Sequence, residues 1–422
     1  MSTRPTGRVT VIRNGTLIDG TGKEPLTNTD VLVRERKIEA IGRGLAIPSQ
    51  ASVIEATGRF VMPGLIDAHL HLFGSRTNDI TEQFLVKEEV RIIRATVDAR
   101  RLLDAGFTTV RDAGSTAAPA IRDAINEGTV RGPRIIASGK IITQTAGHGD
   151  AHYIPLHWMK DIKWVRIADG VDDCRKAARE VLREGSDVVK IMTSGGVYSM
   201  RDPPHTAQYT VDEIKAMTEE AHRVDKRVMT HCISAEGAKN SILGGVDTIE
   251  HGYLIDDEAI DMMVKHDKVL CPTLAIIDRL VTYGKQLKAP EWAQVKGKEA
   301  QAKQIETVKK AHARGVKIAV STDYGGPKEM PMGANAIELQ LLTEKCGFTS
   351  METIVAATKI GAEACGLLDQ IGTLEPGKLA DLLVLKSDPL KDIRIFQNRG
   401  MISLVMKEGR VEANRGLKIT RA

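Results

Sequence analysis

Two histidines one residue apart, His69 and His71, close the apolar run PGLIDAHLHL. On a strand, alternate side chains share a face, so both imidazoles point one way while Leu70 and Leu72 point the other. Such a pair can grip one cation; it can equally be a hydrogen-bonded pair in a core. Four more residues bear on the choice: Lys190 in VVKIMTSGG, His231 in MTHC, His251 in IEHG and Asp323 in VSTD. Each has an ordinary reading alone, since a lysine can snorkel to a rim, a histidine can hydrogen-bond in a core and an aspartate can open a turn. Together they bring imidazoles, a carboxylate and an amine to the ends of five apolar runs, and imidazole with carboxylate suits several divalent metals. Cys232 neighbours His231, so it points to the opposite face and is expected in the core.

The elements that must position these groups can be read from periodicity. Between residues 60 and about 366, short β-branched or apolar runs alternate with longer amphipathic ones, the pattern of parallel strands joined by helices. Strands are predicted at 60–71, 108–114, 134–139, 187–194, 227–232, 246–252, 268–274 and 316–323, with helices at 211–224 and 298–314 among those between them. Eight strand–helix units predict an α/β fold, a (β/α)8 TIM-like barrel, whose chemistry gathers at the carboxyl ends of the strands. The flanks differ. VTVIRNGTLIDGTG, DVLVRERKIEAIG, LADLLVLKSD and ISLVMKEGRVE alternate apolar with polar residues and break at Gly or Asp. Residues 1–62 and 367–422 are therefore expected to pair in one small β-sandwich domain beside a barrel spanning 63–366.

Length and composition narrow the function further. A chain of 422 residues accommodates a barrel with additions, since the barrel itself uses about 250. The 59 basic and 55 acidic residues leave a net charge of +4, too weak to mark a nucleic-acid surface. An aromatic content of 4% leaves few platforms for stacked bases or sugars. No apolar run approaches a membrane span, and MSTRPTGRVTVIRNG lacks the apolar stretch of an export signal. Five cysteines without CxxC spacing indicate neither a disulfide framework nor a zinc ribbon. A cytoplasmic location is expected, with a trimmed export signal as the alternative.

The motifs VMPGLIDAHLHL and LEPGKLADLLVL, with the strand-four lysine, His231, His251 and Asp323, resemble the amidohydrolase superfamily over nearly the whole chain. TQTAGHGD, KIMTSGGVYS and DTIEHG are similar to its branch of Xaa-Pro and Xaa-Arg/Lys dipeptidases, imidazolonepropionase-like proteins and ochratoxin A-degrading amidohydrolases. That resemblance implies two divalent ions, commonly zinc. His69, His71 and Asp323 would hold one, His231 and His251 the other, and Lys190 would bridge them as N6-carboxylysine, because a carbamate offers two anionic oxygens where a plain lysine is cationic. Two such ions about 3.5–4 Å apart turn a shared water into a hydroxide near neutral pH. Asp323 would carry its proton to the leaving nitrogen, and Tyr198 would steady the oxyanion. His148 is a further candidate for catalysis and substrate contact, and Arg201 for holding a terminal carboxylate; as loop residues both can instead be merely solvated, and Tyr198 can be a packing residue. The expected activity is hydrolysis of an amide bond in small carboxylate-bearing substrates, dipeptides or N-acyl amino acids such as ochratoxin A, by a homo-oligomer without nucleic-acid or membrane partners. Imidazolonepropionase-like enzymes typically use one metal and no bridging lysine, so Lys190 weighs against that alternative. The intact ligand set weighs against a non-enzymatic scaffold.

Overall fold

The computed structural model describes residues 8–77, 79 and 81–422, the side chains at 160 and 161 excepted. Residues 1–7, part of the N-terminal stretch read above, lie outside it. Five strands open the chain: β1 (Val9–Leu17), β2 (Leu26–Arg34), β3 (Lys37–Gly42), β4 (Ser52–Glu55) and β5 (Phe60–Pro63). Ten follow between helices: β6 (Leu65–Leu70), β7 (Phe107–Asp112), β8 (Arg134–Ala137), β9 (Ile141–Thr143), β10 (Val165–Ile167), β11 (Val188–Met192), β12 (Arg227–Ser234), β13 (Thr248–Leu254), β14 (Val269–Cys271) and β15 (Lys317–Ile318). Four close the chain: β16 (Leu382–Leu385), β17 (Ile402–Lys407), β18 (Arg410–Asn414) and β19 (Ile419–Arg421).

Both chain ends enter one nine-stranded sheet in the order β18-β17-β16-β5-β1-β2-β3, with β4 on β1 and β19 on β4. Period-2 alternation explains its two faces. Ile12, Val31, Val33, Val384 and Leu404 share one apolar cluster, while Val11 and Leu32 join another with Ala51.

The middle of the chain forms two wholly parallel sheets, β6-β7-β8 and β10-β9-β11-β12-β13-β14-β15. Backbone bonds continue the ladder beyond both. Asp187 N donates to Ala137 O at 2.7 Å, beside β8, and Ala68 N donates to Val320 O at 2.9 Å, beyond β15. In β11, Val189 and Ile191 face the large core shared with the helices, while Lys190 projects from the other face. The same alternation buries Cys232 in that core, as expected, and turns His231 away from it. Helix Val211–His222 starts where sequence predicted, closed by a capping box between Thr210 and Glu213. Among the described residues no helix is long and apolar enough to cross a membrane.

Three expectations are corrected. The strand predicted at 60–71 is two strands in different sheets, divided at Gly64, where a Cβ would stand 2.1 Å from Thr108 Oγ1. Only glycine lets the chain pass so close to β7. The strand predicted at 134–139 ends at Ala137, and β9, which sequence left unassigned, pairs with Lys190 and Ile191 of β11. Finally, the 298–314 helix begins earlier, at Glu291, directly after Pro290.

Candidate metal centre

His69 and His71 leave the end of β6 on one face, as alternation requires, and meet Asp323, which follows β15. Asp323 Oδ1 lies 3.4 Å from His69 Nε2 and 3.1 Å from His71 Nε2. One ligand atom from each of the three residues lies within 4.8 Å of the others. The approach of the two segments is built in by Asp67, fully buried one position before Ala68. Its carboxylate accepts from His69 N and from Thr322 N and Oγ1, and from Asn335 Nδ2 at 2.7 Å. Burial pushes its pKa up to about 6 against those hydrogen bonds.

His69 is oriented from below. Its Nδ1 stands 2.6 Å from Glu250 Oε2, which assigns the proton to Nδ1 and leaves the Nε2 lone pair for a ligand. Glu250 pairs in turn with Arg111, the bulkiest fully buried side chain, at 2.9 Å. Burial alone would raise the Glu250 pKa, yet the Arg111 charge and the His69 hydrogen bond hold it well below the carboxylate range. Arg111 also donates to Ala68 O, Ala364 O and Thr248 Oγ1, so that with Glu250 three other segments are tied to one guanidinium.

His251 shows how the backbone can override alternation. Thr248 and Glu250 share a face of β13, so His251 should turn toward the helices. Instead it adopts φ +73°, with Gly252 at +62°, and its ring enters the cleft with Nδ1 2.8 Å from Thr273 Oγ1. Thr273 and Asp323, at neighbouring strand ends, are also left-handed, at φ +54° and +58°. Each such residue costs of order 1–3 kcal/mol and persists only where the surroundings impose it, commonly at functional sites.

His231, in the second half of β12, stacks on His148 with ring centres 3.9 Å apart and lies 4.6 Å from the His251 ring. Burial holds the pKa of both His231 and His251 well below the usual value, so both rings are neutral and able to ligate. Lys190 is 1% exposed, and burial lowers its pKa to about 8, which favours the neutral amine. Burial disfavours the Asp323 carboxylate, but the His69 and His71 rings beside it hold its pKa well below the ordinary one. Neutral imidazoles, an ionised carboxylate and an amine poised to lose its proton are a donor set that fits a divalent centre.

All six predicted ligands line one cleft of about 320 Å³, together with Tyr198 and His148. His148 is held in place: its Nδ1 lies 3.0 Å from Asp202 Oδ2 and 2.6 Å from Ser199 Oγ. A Cβ at Gly196 would fall 2.0 Å from the His148 ring, which explains a glycine there. Arg201, by contrast, is exposed and is not among the residues lining the cleft.

Sequence reading overlooked Glu250, Arg111, Asp202 and Thr273. A signal existed for Glu250, a carboxylate one position before His251 in an otherwise buried strand. Nothing local marked Asp202, whose role depends on the segment after β11 meeting His148 in the segment after β9.

Residues 60–411 match the model of the amidohydrolase family. Ochratoxinase from Aspergillus niger is 32% identical over 97% of this chain and 88% of its own, and its crystal structure superposes with a TM-score of 0.88 over 97% and 96% of the two chains. A prolidase crystallised with N-methylphosphonate-L-proline superposes with a TM-score of 0.88 at 32% identity, covering 96% and 99%. Imidazolonepropionase from Symbiobacterium thermophilum is 24% identical over 91% and 89%.

Proposed function

The chain belongs to the amidohydrolase family, and from that premise we propose that it hydrolyses the amide bond of dipeptides or N-acyl amino acids bearing a free carboxylate, N-acyl-phenylalanine compounds such as ochratoxin A included. The observation that carries this reading is the convergence of His69, His71, Lys190, His231, His251 and Asp323 on one cleft. Its likeness to an ochratoxinase and a prolidase along nearly its whole length supports the substrate class. The imidazolonepropionase alternative is weaker, at 24% identity and with Lys190 left unexplained.

In the proposed site His69, His71 and Asp323 would hold one divalent ion and His231 and His251 a second, with zinc the candidate metal and Lys190, as N6-carboxylysine, a further anionic ligand. Bound ions of this kind supply an acidified water and polarise the carbonyl. The buried, readily neutralised Lys190 amine adds to carbon dioxide and releases a proton, becoming an anionic carbamate. Asp323 takes the proton of the attacking water and passes it to the leaving nitrogen. Tyr198 donates to the developing oxyanion, and His148, steadied by Asp202 and Ser199, contacts the carboxylate or carbonyl of the substrate.

The architectural part of the proposal is that the parallel strands close as one (β/α)8 barrel over residues 63–366, with 1–62 and 367–422 forming a small β-sandwich. The hydrogen bonds that continue both parallel sheets at their edges support it. A homo-oligomer is supported by an exposed apolar row on helix Glu88–Asp104, where Val90, Ile93 and Val97 are 40%, 65% and 38% exposed. Cytoplasmic residence is supported by five unpaired, buried cysteines.

The test is a comparison of free acids with their amides and methyl esters on metal-loaded protein. Loss of a charged hydrogen bond is worth roughly 1.5–3 kcal/mol, so kcat/KM should fall on the order of ten- to a hundredfold for the amides and esters. Equal rates would transfer the proposal to cyclic amides, which need no terminal carboxylate.

A further inference from the structure

Tyr198 and His148, the cleft residues to which the proposed function gives the oxyanion and the polar end of the substrate, both depend on one turn, residues 195–203 after β11. The base of this turn is closed by backbone bonds, Gly195 N donating to Thr206 O at 3.1 Å and Gln208 N to Thr193 O at 2.8 Å. Its rim is drawn together by Asp202, whose Oδ2 accepts from Gly196 N at 3.0 Å. The same rim carries both partners of the His148 ring, Ser199 and Asp202. These bonds shape the turn from within; Lys296 holds it from outside.

Lys296 lies in helix Glu291–Ala313, well beyond the turn in sequence. Its Nζ donates to Gly196 O at 3.0 Å and to Ser199 O at 2.8 Å, with Asp202 O at 3.5 Å on the third side. An ammonium has three protons, and here they face three carbonyls of one turn. Tyr198 stands between the first two. Lys296 itself is not among the residues lining the cleft, whereas Trp292, one helical turn earlier on the same face, is. The lysine therefore reaches the site through the turn and not by touching what the cleft holds. A lysine in such a place ordinarily extends its ammonium into water. This one is half-buried, and burial lowers its pKa with the Asp202 charge opposing, so it is kept there against a desolvation cost.

We propose that Lys296 is a positioning residue for the hydrolysis: by binding the carbonyls on both sides of Tyr198 it sets the phenol toward the oxyanion and keeps Ser199 and Asp202 against His148. The inference rests on the amide-hydrolase reading and adds to it a residue outside the cleft. A turn fastened at its base and by its own side chains can still tilt about that base, and a displacement of about 1 Å at a group acting on the transition state can cost on the order of a hundredfold in rate. Contacts from a separate helix to the rim remove that tilt. Methionine at 296 would keep the apolar stem and remove every donor, leaving the base of the turn intact.

The experiment compares metal-loaded wild type, Lys296→Met, Lys296→Arg, Tyr198→Phe and the Lys296→Met/Tyr198→Phe double variant. Three quantities are read: kcat/KM on N-benzoyl-L-phenylalanine, the calorimetric Kd of L-phenylalanine, which needs no turnover, and hydrogen exchange across 195–203. Lys296→Met should lower kcat/KM on the order of ten- to a hundredfold and speed exchange in the turn about tenfold or more, with metal content unchanged. Lys296→Arg, which keeps the charge and several donors, should restore part of both. The cycle separates positioning from mere support: Lys296→Met should cost at least about threefold less in the Tyr198→Phe background than in the wild type, because the group it acts through is already gone. A merely structural lysine would cost the same in either background. Equal losses in both backgrounds, or exchange and kcat/KM unchanged in Lys296→Met, overturns the proposal. A Kd for L-phenylalanine that depends on Lys296 and Tyr198 non-additively, without turnover of any acyl amino acid, would sink the hydrolase reading and leave the assignment of Lys296 standing; turnover with additive losses would do the reverse.

Discussion

Strand β17 in the end sheet and strand β13 beneath the cleft are both buried along nearly their whole length. In β17 the buried side chains are mainly apolar, with Leu404 and Met406 in one cluster and Ile402 and Val405 in another. In β13 they include Thr248, Glu250 and His251, each bonded to a named partner from another segment. A strand of the first kind is stabilised by area removed from water and tolerates any apolar residue of similar volume. A strand of the second kind depends on particular pairs, because a buried charge that loses its partner keeps the whole desolvation cost. The contrast separates residues kept for packing from residues kept for chemistry, and it can be tested from both sides.

The largest effect is expected at Lys190. Lys190→Ala should lose most bound metal and lower kcat/KM by on the order of a thousandfold or more, with the thermal midpoint of the metal-free protein little changed. Short carboxylic acids that occupy the vacated bridge should restore part of the activity. Full metal content by elemental analysis with full activity would erase the distinction between the mouth and the rest of the fold.

A matched pair comes next. Arg111→Met leaves the buried Glu250 carboxylate without its cation, at a cost of about 3–5 kcal/mol, and loosens the carboxylate that orients His69, so stability and metal affinity should fall together. Leu404→Ala in the end sheet removes buried apolar volume for a similar cost of about 2–5 kcal/mol, yet metal affinity and kcat/KM of the folded fraction should stay near wild type. Denaturant unfolding and metal titration on both variants make the comparison; parallel losses of metal affinity would mean the two regions are energetically one. The smallest effect is expected at Arg201, which is exposed and apart from the cleft lining. Arg201→Ala should change kcat/KM for free-acid substrates by less than about twofold, and a drop of ten or more would return it to the binding site.

What was legible beforehand followed from local rules. HxH on one face needs only strand alternation, and the opposite placement of Cys232 and His231 needs nothing more. The break at Gly64 was harder, because PGLID reads as one apolar run until Thr108 from another strand is known to press on it. Arg111 and Glu250 escaped attention because each, taken singly, is an ordinary charged residue in a strand. They matter as a pair 139 positions apart.

By itself, the sequence determined which residues alternate toward a core, where the helix behind the Thr210 cap starts, and which side chains own metal-competent atoms, since these depend on neighbours a few positions away. Only the tertiary structure decided that His251 turns into the cleft through a left-handed backbone, that Glu250 fixes the tautomer of His69 and that Arg201 stands outside. Those outcomes turn on distances between segments far apart in the chain, and periodicity carries no record of them.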